Sequence, residues 1–370
     1  MQRVEDCILG VHGVLAVNIF GGCDMRITIV GAGAIGGTVG AFLARGGEDV
    51  LFVDVVKEHV DAINMRGLTI TGRVEFTVLA RAVTPEELTG PLHWVFLSVK
   101  SQHTEAAMQP IVPLLGPQSF VVSLQNGLNE ERIAAMIGRE RTVGAHVNWG
   151  SDYHGPGLIM YGSEGAFYIG ELDGSVTDRV RALHDKLSKF TEVIVTQNIW
   201  GYKWSKQCWA SLNYATALVD ADAGDILADP RNRRVGVALL AESVQLARLE
   251  GVKLEAFDGF EPDLMMPTTP EAWKTGMDSI DRMADEYWRP ANRLKKRTGI
   301  WRDLMVRKRK TEVDYRIGEL VRRGRARGLS MPLNSALWQM IHEIEDSKRA
   351  MVPENLRELE RMIRQKGANR

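Results

Sequence analysis

The feature that most constrains the fold of this chain is a glycine-rich turn between two apolar runs. The first run, Arg26 to Val30, is rich in β-branched residues, and a helical pattern behind the turn leads to a second run that ends at Asp54. This order predicts a βαβ unit with the fingerprint of a dinucleotide-binding site. We predict that the cofactor contacts Asp54 and the residues of the turn, Gly31, Ala32, Gly33, Ala34, Ile35 and Gly36.

Each part of this unit has a physical task. Gly31 makes the tight turn, Gly33 lets the backbone approach a pyrophosphate, and Gly36 lets the helix pack closely on the strand. The helix that starts near Ala34 directs free N–H groups and the positive end of its dipole at the phosphates. Asp54 lies where a carboxylate accepts hydrogen bonds from the hydroxyl groups of an adenosine ribose.

Composition narrows the classes of function. The chain has 370 residues, enough for two domains, and its net charge of −1 gives no field that would attract nucleic acid or an anionic membrane. Its three cysteines have no metal-site or disulfide spacing, so we expect no metal, no disulfide framework and a reducing cytoplasm. No apolar run reaches transmembrane length. Residues 1–24 precede the first strand, and we expect this extension to carry no catalytic role.

Polar side chains follow two further strands of the expected α/β fold. Trp94 to Val99 and Phe120 to Leu124 are continuous apolar runs of the kind that is buried in parallel sheets, and Lys100 and Asn126 come after them. Ligands of open α/β sheets gather outside the carboxyl ends of the strands. The glycine turn, Asp54, Lys100 and Asn126 are therefore expected to line one cleft.

From Gln197 onward the strand signals disappear and helical spacing takes over. We therefore predict a dinucleotide-binding domain over residues 25–196, a mostly helical substrate or catalytic domain over 197–350, and a C-terminal helical tail over 351–370. Lys206, on the first long helix beside the domain boundary, is a candidate general acid, and Asn213 projects from the same face two turns later. Burial or a neighbouring cation would bring the lysine pKa toward neutrality. The competing interpretation of Lys206 is a solvated surface lysine.

Two other charged features each allow more than one interpretation. Glu312 opens a helix, where an acidic side chain complements the dipole, and it is alternatively a cleft carboxylate that orients Lys206 or accepts a hydrogen bond from substrate. The basic run from Arg293 to Lys310 is interpreted first as a solvated face, second as a guide for an anionic substrate and last as a nucleic-acid patch.

These pieces, in this order, resemble the ketopantoate reductase (2-dehydropantoate 2-reductase) family from Met25 to about Ser347. The motifs that carry the likeness are Gly31-Ala32-Gly33-Ala34-Ile35-Gly36, Val99-Lys100, Gln125-Asn126-Gly127-Leu128, Gly155-Pro156-Gly157 with Tyr168-Ile169-Gly170-Glu171, Trp204-Ser205-Lys206, and Thr311-Glu312-Val313-Asp314-Tyr315. The resemblance implies a Rossmann-type N-terminal domain, a helical C-terminal domain and hydride transfer in the cleft between them. It also implies roles for four residues: Lys206 as general acid, Glu312 as the acidic residue that assists it, Asn126 as a contact for cofactor and substrate, and Lys100 beside the nicotinamide end.

The chain departs from the family pattern on the substrate side. The family carries an asparagine one turn after the lysine, where this chain has Ala210, and Asn213 is a candidate replacement. The family also places a serine before the Thr-Glu motif, and Thr298 is an approximate replacement for it. We therefore expect this chain to share the fold and the hydride chemistry of the family more closely than its substrate, ketopantoate.

The cofactor evidence points in two directions. The resemblance implies NADP(H), whereas Asp54 would repel a 2′-phosphate. Lys57, in the following turn, is the one cation that would offset this repulsion. Because Asp54 is held at a strand end and Lys57 is long and mobile, NAD(H) is favoured.

The sequence therefore predicts an NAD(P)H-dependent reductase of a 2-oxo acid. The partner we expect is a small-molecule carbonyl or hydroxy-acid substrate, with no nucleic acid and no membrane, and a homodimer is left open. One alternative is a dehydrogenase of the same fold that oxidises a hydroxy acid or polyol. The other is a non-catalytic dinucleotide-sensing protein, which would have no need of Lys206 and Glu312 as a proton donor and its assistant.

Overall fold

The structure, a computed structural model, describes residues 14–15, 26–189, 191–289, 294 and 296–368. Its β-strands, in chain order, are β1 (Val14–Leu15), β2 (Ile27–Val30), β3 (Val50–Val53), β4 (Leu68–Gly72), β5 (Phe76–Val78), β6 (Arg81–Val83), β7 (Leu92–Leu97), β8 (Leu115–Ser123), β9 (Thr142–Val147), β10 (Gly150–Gly155), β11 (Leu158–Ser163), β12 (Phe167–Glu171) and β13 (Ile194–Val195). Its α-helices are α1 (Ala34–Arg45), α2 (Lys57–Arg66), α3 (Thr104–Met108), α4 (Glu130–Ile137), α5 (Asp178–Leu187), α6 (Ile199–Thr216), α7 (Ala223–Ala228), α8 (Pro230–Leu249), α9 (Pro270–Tyr287), α10 (Gly299–Met305), α11 (Val313–Ala326), α12 (Pro332–Glu345) and α13 (Glu354–Ala368).

A large sheet forms the centre of the N-terminal part, with the strand order β13-β12-β9-β8-β7-β2-β3-β6. The strands from β9 to β6 pair in parallel, and β12 is antiparallel to β9. All residues of β2 and β3 are buried, because separate apolar clusters cover the two faces of the sheet. This arrangement confirms the predicted α/β class with a Rossmann-type dinucleotide-binding fold.

A second sheet, with the order β1-β5-β4-β11-β10, packs against α1. It contains a hairpin, since β4 and β5 pair antiparallel with Leu68 opposite Val78. Helix α1 lies between the two sheets, which explains why nine of its residues, Gly36 to Ala44, are buried in succession. Strand β1 pairs in parallel with β5, so this short part of the N-terminal extension joins the small sheet. The rest of residues 1–24 lies outside the described residues.

The sheet ends at β13, and α-helices follow from α6 onward. Helices α6 and α8 pack together at the centre of this part, and α11, α12 and α13 pack around them. Leu356 and Leu359 of α13 are buried in the same apolar cluster as residues of α8, so this C-terminal helix contributes to the core. In the described ranges, no helix is long and apolar enough to cross a membrane.

Part of the basic run forms ion pairs, whereas Lys308, Arg309 and Lys310 at its end are exposed to solvent. Helix α10 forms inside this run, and Asp303 on it forms ion pairs with Arg307 and Arg309 at 2.9 Å. Arg297 forms ion pairs with Asp220 and Asp222. Asp303 lies inside the run itself, whereas the partners of Arg297 come from a segment about 75 positions earlier, which local charge patterning does not reveal. Arg293 and Lys295 lie outside the described residues.

Candidate active site

The glycine turn follows β2 and has the geometry that its sequence predicts. Gly31 has φ +90°, a left-handed conformation that favours glycine. A Cβ on Gly36 would lie 2.1 Å from the Gly31 carbonyl oxygen, so this position needs glycine for the close approach of α1. A Cβ on Gly33 would meet no atom within 4 Å, which leaves open space in front of the N-terminus of α1. The turn therefore has room for a pyrophosphate where the free helix N–H groups point.

Asp54 is fixed at the carboxyl end of β3. Its Oδ2 accepts a hydrogen bond from the Ala32 N–H at 2.9 Å, and its Oδ1 accepts one from the Val56 N–H at 3.0 Å. Lys57 instead pairs with Asp61 at 2.8 Å, and 71% of its side chain is exposed. Asp54 is thus preorganised beside the turn, whereas the nearby cation is directed at another carboxylate.

His59 supports the turn, and the sequence analysis did not identify it. This buried residue of α2 has Nδ1 at 2.9 Å from the Gly157 N–H and Nε2 at 2.8 Å from the Ala32 carbonyl oxygen. Because a backbone N–H only donates, Nδ1 accepts and Nε2 carries the proton that it donates to Ala32. His59 thereby links the glycine turn to the Gly155-Pro156-Gly157 motif. The sequence pointed to this motif through the family resemblance but gave no indication that His59 contacts it.

Lys100 and Asn126 meet at the carboxyl edge of the sheet, as predicted. Lys100 follows β7, and Asn126 follows the neighbouring strand β8. The Asn129 side-chain amide donates hydrogen bonds to the Asn126 carbonyl oxygen at 2.7 Å and to the Ser101 hydroxyl oxygen at 3.0 Å, which joins the two loops. Lys100 Nζ lies 2.9 Å from Glu312 Oε2 and 3.0 Å from Asp303 Oδ2, both in the helical part. Burial opposes the charge of Lys100, but these two carboxylates raise its pKa above the ordinary value.

Glu312 is buried where the helical part meets the sheet edge. It is the N-cap residue of α11, but its side chain makes no cap hydrogen bond to that helix. Its Oε1 accepts hydrogen bonds from the Ser101 N–H at 2.8 Å and from the Ser101 hydroxyl at 2.9 Å, while Oε2 binds Lys100. Burial raises the pKa of Glu312, but Lys100 and the Ser101 N–H outweigh it and hold the pKa below the ordinary value. The carboxylate therefore holds Lys100 and its loop by direct contacts, and its charge favours the protonated form of Lys206 from a longer distance.

Lys206 reaches from α6 toward the strand edge and is half-buried. Its ammonium donates a hydrogen bond to the Val147 carbonyl oxygen at the end of β9. Burial, with the charges of Arg316 and Lys203, lowers the pKa of Lys206 to about 7. Among the described residues, no carboxylate lies within 4.0 Å of its Nζ. A lysine in this state loses and regains its proton near neutral pH.

Lys206 and Asn126 line the same small pocket. The lining residues are Gln125, Asn126, Gly127, Ala145, His146, Val147, Lys203 and Lys206. Lys203 is the second lysine of this pocket, and its ammonium already has protein partners. Its Nζ lies 2.6 Å from Glu130 Oε1 and 2.7 Å from the Gln125 carbonyl oxygen. Both members of this ion pair are buried, so Lys203 holds the Gln125-Asn126 loop in place. Within this pocket, Lys206 is the lysine that is available to a ligand.

Two family models match the chain in consecutive segments. The model described as "Ketopantoate reductase PanE/ApbA" matches residues 27–174, and the model described as "Ketopantoate reductase PanE/ApbA C terminal" matches residues 198–345. The chain belongs to the ketopantoate reductase family. It is an oxidoreductase of that family, so a non-catalytic sensor is not favoured.

Curated relatives and solved structures agree with this assignment. The 2-dehydropantoate 2-reductase of Pyrococcus horikoshii is 28% identical over 320 residues, which cover 86% of this chain and 96% of the relative. The enzyme of the same name from Pyrococcus abyssi is 29% identical, with 86% and 97% coverage. A PanE/ApbA family ketopantoate reductase structure from Ralstonia eutropha has a TM-score of 0.73 at 25% identity, over 88% of this chain and 99% of that one. A D-mandelate dehydrogenase structure with NADH and anilino(oxo)acetate has a TM-score of 0.74 and the same coverage at 24% identity, a likeness of fold alone.

In this ketopantoate reductase family member, neither residue expected to replace the family's polar groups lines the Lys206 pocket. Asn213 is half-buried on α6, and in the described part of the chain its side chain has no hydrogen-bond partner. The Thr298 hydroxyl accepts a hydrogen bond from the Trp301 N–H at 3.2 Å and thus caps α10. Ala210 is buried in an apolar cluster that contains Tyr214. The substrate roles of Asn213 and Thr298 stay predictions.

Proposed function

We propose that this ketopantoate reductase family member reduces the keto group of a 2-oxo acid to a hydroxyl group, with Lys206 as the general acid. The observation that carries the proposal is the state of Lys206, which is half-buried beside Asn126 and has a pKa of about 7. A proton donor is most effective when its pKa is close to the working pH. The names of the curated relatives, 2-dehydropantoate 2-reductases, support the substrate class.

The residues at the strand edge fit a nicotinamide dinucleotide. The open space at Gly33 and the N–H groups at the start of α1 would hold the pyrophosphate, and Asp54 would hold the adenosine ribose. Lys100 and Asn126, at the next strand ends toward the helical part, would flank the nicotinamide end. When bound in its reduced form, the cofactor supplies a hydride.

The protein supplies the proton and the orientation. The carbonyl carbon of the substrate gains the hydride, the π electron pair of the C=O bond moves to oxygen, and the Lys206 ammonium donates its proton to that oxygen. Asn126 shares the pocket with Lys206 and would hold the substrate against it. Glu312 holds Lys100 and its loop at the neighbouring strand end. In the reverse reaction the neutral Lys206 amine would take the hydroxyl proton, which its pKa also permits.

We also infer that NADH is preferred to NADPH. Asp54 is held by two backbone N–H groups, so it cannot turn away from the ribose without losing both hydrogen bonds. A 2′-phosphate beside this carboxylate would be repelled, and Lys57 is paired with Asp61. Asp54 therefore favours a ribose with free hydroxyl groups.

The test is the oxidation of NADH and NADPH with a panel of 2-oxo acids, followed by absorbance at neutral pH. We expect turnover with at least one member of the panel and production of the matching 2-hydroxy acid. A protein that binds NADH but turns over no 2-oxo acid would contradict the proposal. The Lys206→Ala variant serves as the control for contaminating reductases.

A further inference from the structure

A buried arginine lies behind the proposed proton donor. Arg316 is on α11, one turn after Glu312, and only 6% of it is exposed. Its Nη2 donates a hydrogen bond to the Lys206 backbone carbonyl oxygen at 2.8 Å. The guanidinium thus contacts α6 at the residue whose side chain enters the pocket.

Within the described segments, Arg316, like Lys206, forms no ion pair, in contrast to the other two cations of the site, Lys203 and Lys100. In the part of the chain that the structure describes, no carboxylate oxygen lies within 4.0 Å of its guanidinium, and its Nε is buried without a hydrogen-bond partner. Lys203 is paired with Glu130, and Lys100 is paired with Glu312 and Asp303. A buried charge without a partner is costly, and an apolar side chain would fill the same space at lower cost.

The uncompensated charge acts on Lys206. Two cations, Arg316 and Lys203, disfavour the protonated form of Lys206, and two carboxylates, Asp258 and Glu312, favour it. His146 is buried in the same pocket, and its pKa is held well below the ordinary value, mainly by burial. The charge of Lys203 is largely neutralised by Glu130 at 2.6 Å. Glu312 offsets the Arg316 charge only from beyond ion-pair distance, so Arg316 disfavours the protonated form of Lys206 more strongly than Lys203 does. An arginine keeps its charge at every working pH.

We propose that Arg316 is a positioning residue for Lys206: it holds the backbone of α6 at the proton donor, and its unpaired charge makes the Lys206 proton easier to release. This inference rests on the proposed function, in which Lys206 donates a proton to the keto oxygen. It explains why a buried cation without a counter-ion is placed beside another cation. Such a pair favours proton transfer out of the lysine when a carbonyl oxygen develops negative charge.

The experiment compares the pH dependence of kcat/KM for reduction in four proteins: the wild type, Arg316→Gln, Arg316→Met and Arg316→Lys. Reduction needs protonated Lys206, so in the wild type kcat/KM is constant at low pH and falls as pH rises above about 7. In the two neutral variants we expect this fall to move upward by about one pH unit or more, because a like charge has been removed. Arg316→Lys retains the charge and should keep the fall near its wild-type position.

Arg323→Gln is the matched control on the same helix. Arg323 is paired with Glu131 and Glu319, so its removal should leave the pH profile of kcat/KM unchanged. Unchanged profiles in both Arg316→Gln and Arg316→Met would overturn the proposal, even if kcat falls, because a purely structural role lowers activity without shifting the profile. The Met variant keeps the test open if the Gln variant does not fold.

A second measurement separates this inference from the proposed function. The rate of acetylation of Lys206 by acetic anhydride, followed by mass spectrometry as a function of pH, reports the lysine pKa without turnover. An upward shift in the neutral variants supports the role of Arg316 even if no 2-oxo acid is reduced. An unshifted acetylation profile contradicts it even if the wild type is an active reductase.

Discussion

A lysine in water is almost fully protonated at neutral pH, whereas Lys206 is placed so that both of its forms are accessible. Burial is the largest cause, and the charges of Arg316 and Lys203 act in the same direction. The hydrogen bond to the Val147 carbonyl oxygen directs the ammonium toward the edge of β9. Chemistry at this residue therefore depends on its surroundings more than on its type.

The Lys206→Ala substitution should reduce turnover by a factor of about 100 to 10,000, because the proton donor is lost. The affinity for NADH should change little, since the glycine turn and Asp54 lie on other elements. Steady-state kinetics and a fluorescence titration with NADH check the two parts. Near-wild-type turnover would remove Lys206 from the mechanism, and Lys203 would be the next lysine to test.

The Asp54→Ala substitution should narrow the preference for NADH over NADPH. The substitution removes the hydrogen bonds to the ribose hydroxyls, so kcat/KM for NADH should fall. It also removes the repulsion of a 2′-phosphate, so the ratio of kcat/KM for NADPH to kcat/KM for NADH should rise. Lys57→Ala is the control, because Lys57 is paired with Asp61 and should not contribute to the choice. Measurement of kcat/KM for both cofactors at saturating substrate decides the matter. A wild type that prefers NADPH would show that Asp54 does not govern the choice.

At the scale of elements, the buried ion pair between α4 and α6 holds the pocket together. Glu130 begins α4 directly after the Gln125-Asn126 loop, and it meets Lys203 one turn before Lys206. Neither partner is accessible to solvent, and burial lowers the pKa of Lys203. The pair thereby fixes the distance between the loop that carries Asn126 and the helix that carries Lys206.

The Glu130→Gln substitution should lower the free energy of unfolding by about 3 kcal/mol or more, because Lys203 is left buried without its partner. Glu131→Gln, on the same helix, is the matched control. Glu131 is 43% exposed and pairs with Arg323 at the surface, so its loss should cost about 1 kcal/mol or less. Urea denaturation of the three proteins measures the difference. Equal stabilities of the two variants would contradict the structural role of the buried pair.

At the scale of the whole molecule, charged residues join the two parts of the chain across the cleft. Lys100 binds Asp303 and Glu312, and Arg302 forms an ion pair with Asp152 at 2.9 Å. Residues of both parts therefore meet at the cleft, and we expect both to contribute to substrate selection.

Ketopantoate should be a poor substrate compared with a bulkier or less hydroxylated 2-oxo acid. Ala210 is buried in an apolar cluster, so it offers no partner for a substrate hydroxyl. A site without that partner leaves the hydroxyl unsatisfied and lowers kcat/KM. The comparison of kcat/KM across 2-oxo acids of graded size and hydroxylation tests this expectation. It is wrong if ketopantoate has the highest kcat/KM of the panel.

The sequence by itself determined the features that depend on local physics. Gly31 and Gly36 were predictable because the backbone at one position and the packing at the other exclude a side chain. The parallel strands were predictable from continuous apolar runs, and their carboxyl ends then had to meet at one edge. Lys206 became a candidate proton donor because of its place on the first helix after the sheet, together with the resemblance of Trp204-Ser205-Lys206 to the family motif.

Only the tertiary structure decided which charges become partners. Glu312 binds Lys100, 212 positions away, and Arg316 binds the backbone of Lys206, 110 positions away. Helix periodicity and capping preferences are local, so they gave no information on these pairs. Packing of α11 against α6 and the sheet edge brings these residues together. Because they are buried, each charge has a large effect on the pKa values of its neighbours and on stability. That is why Lys206 could be proposed as a proton donor from the sequence, while the groups that lower its pKa could not be identified there.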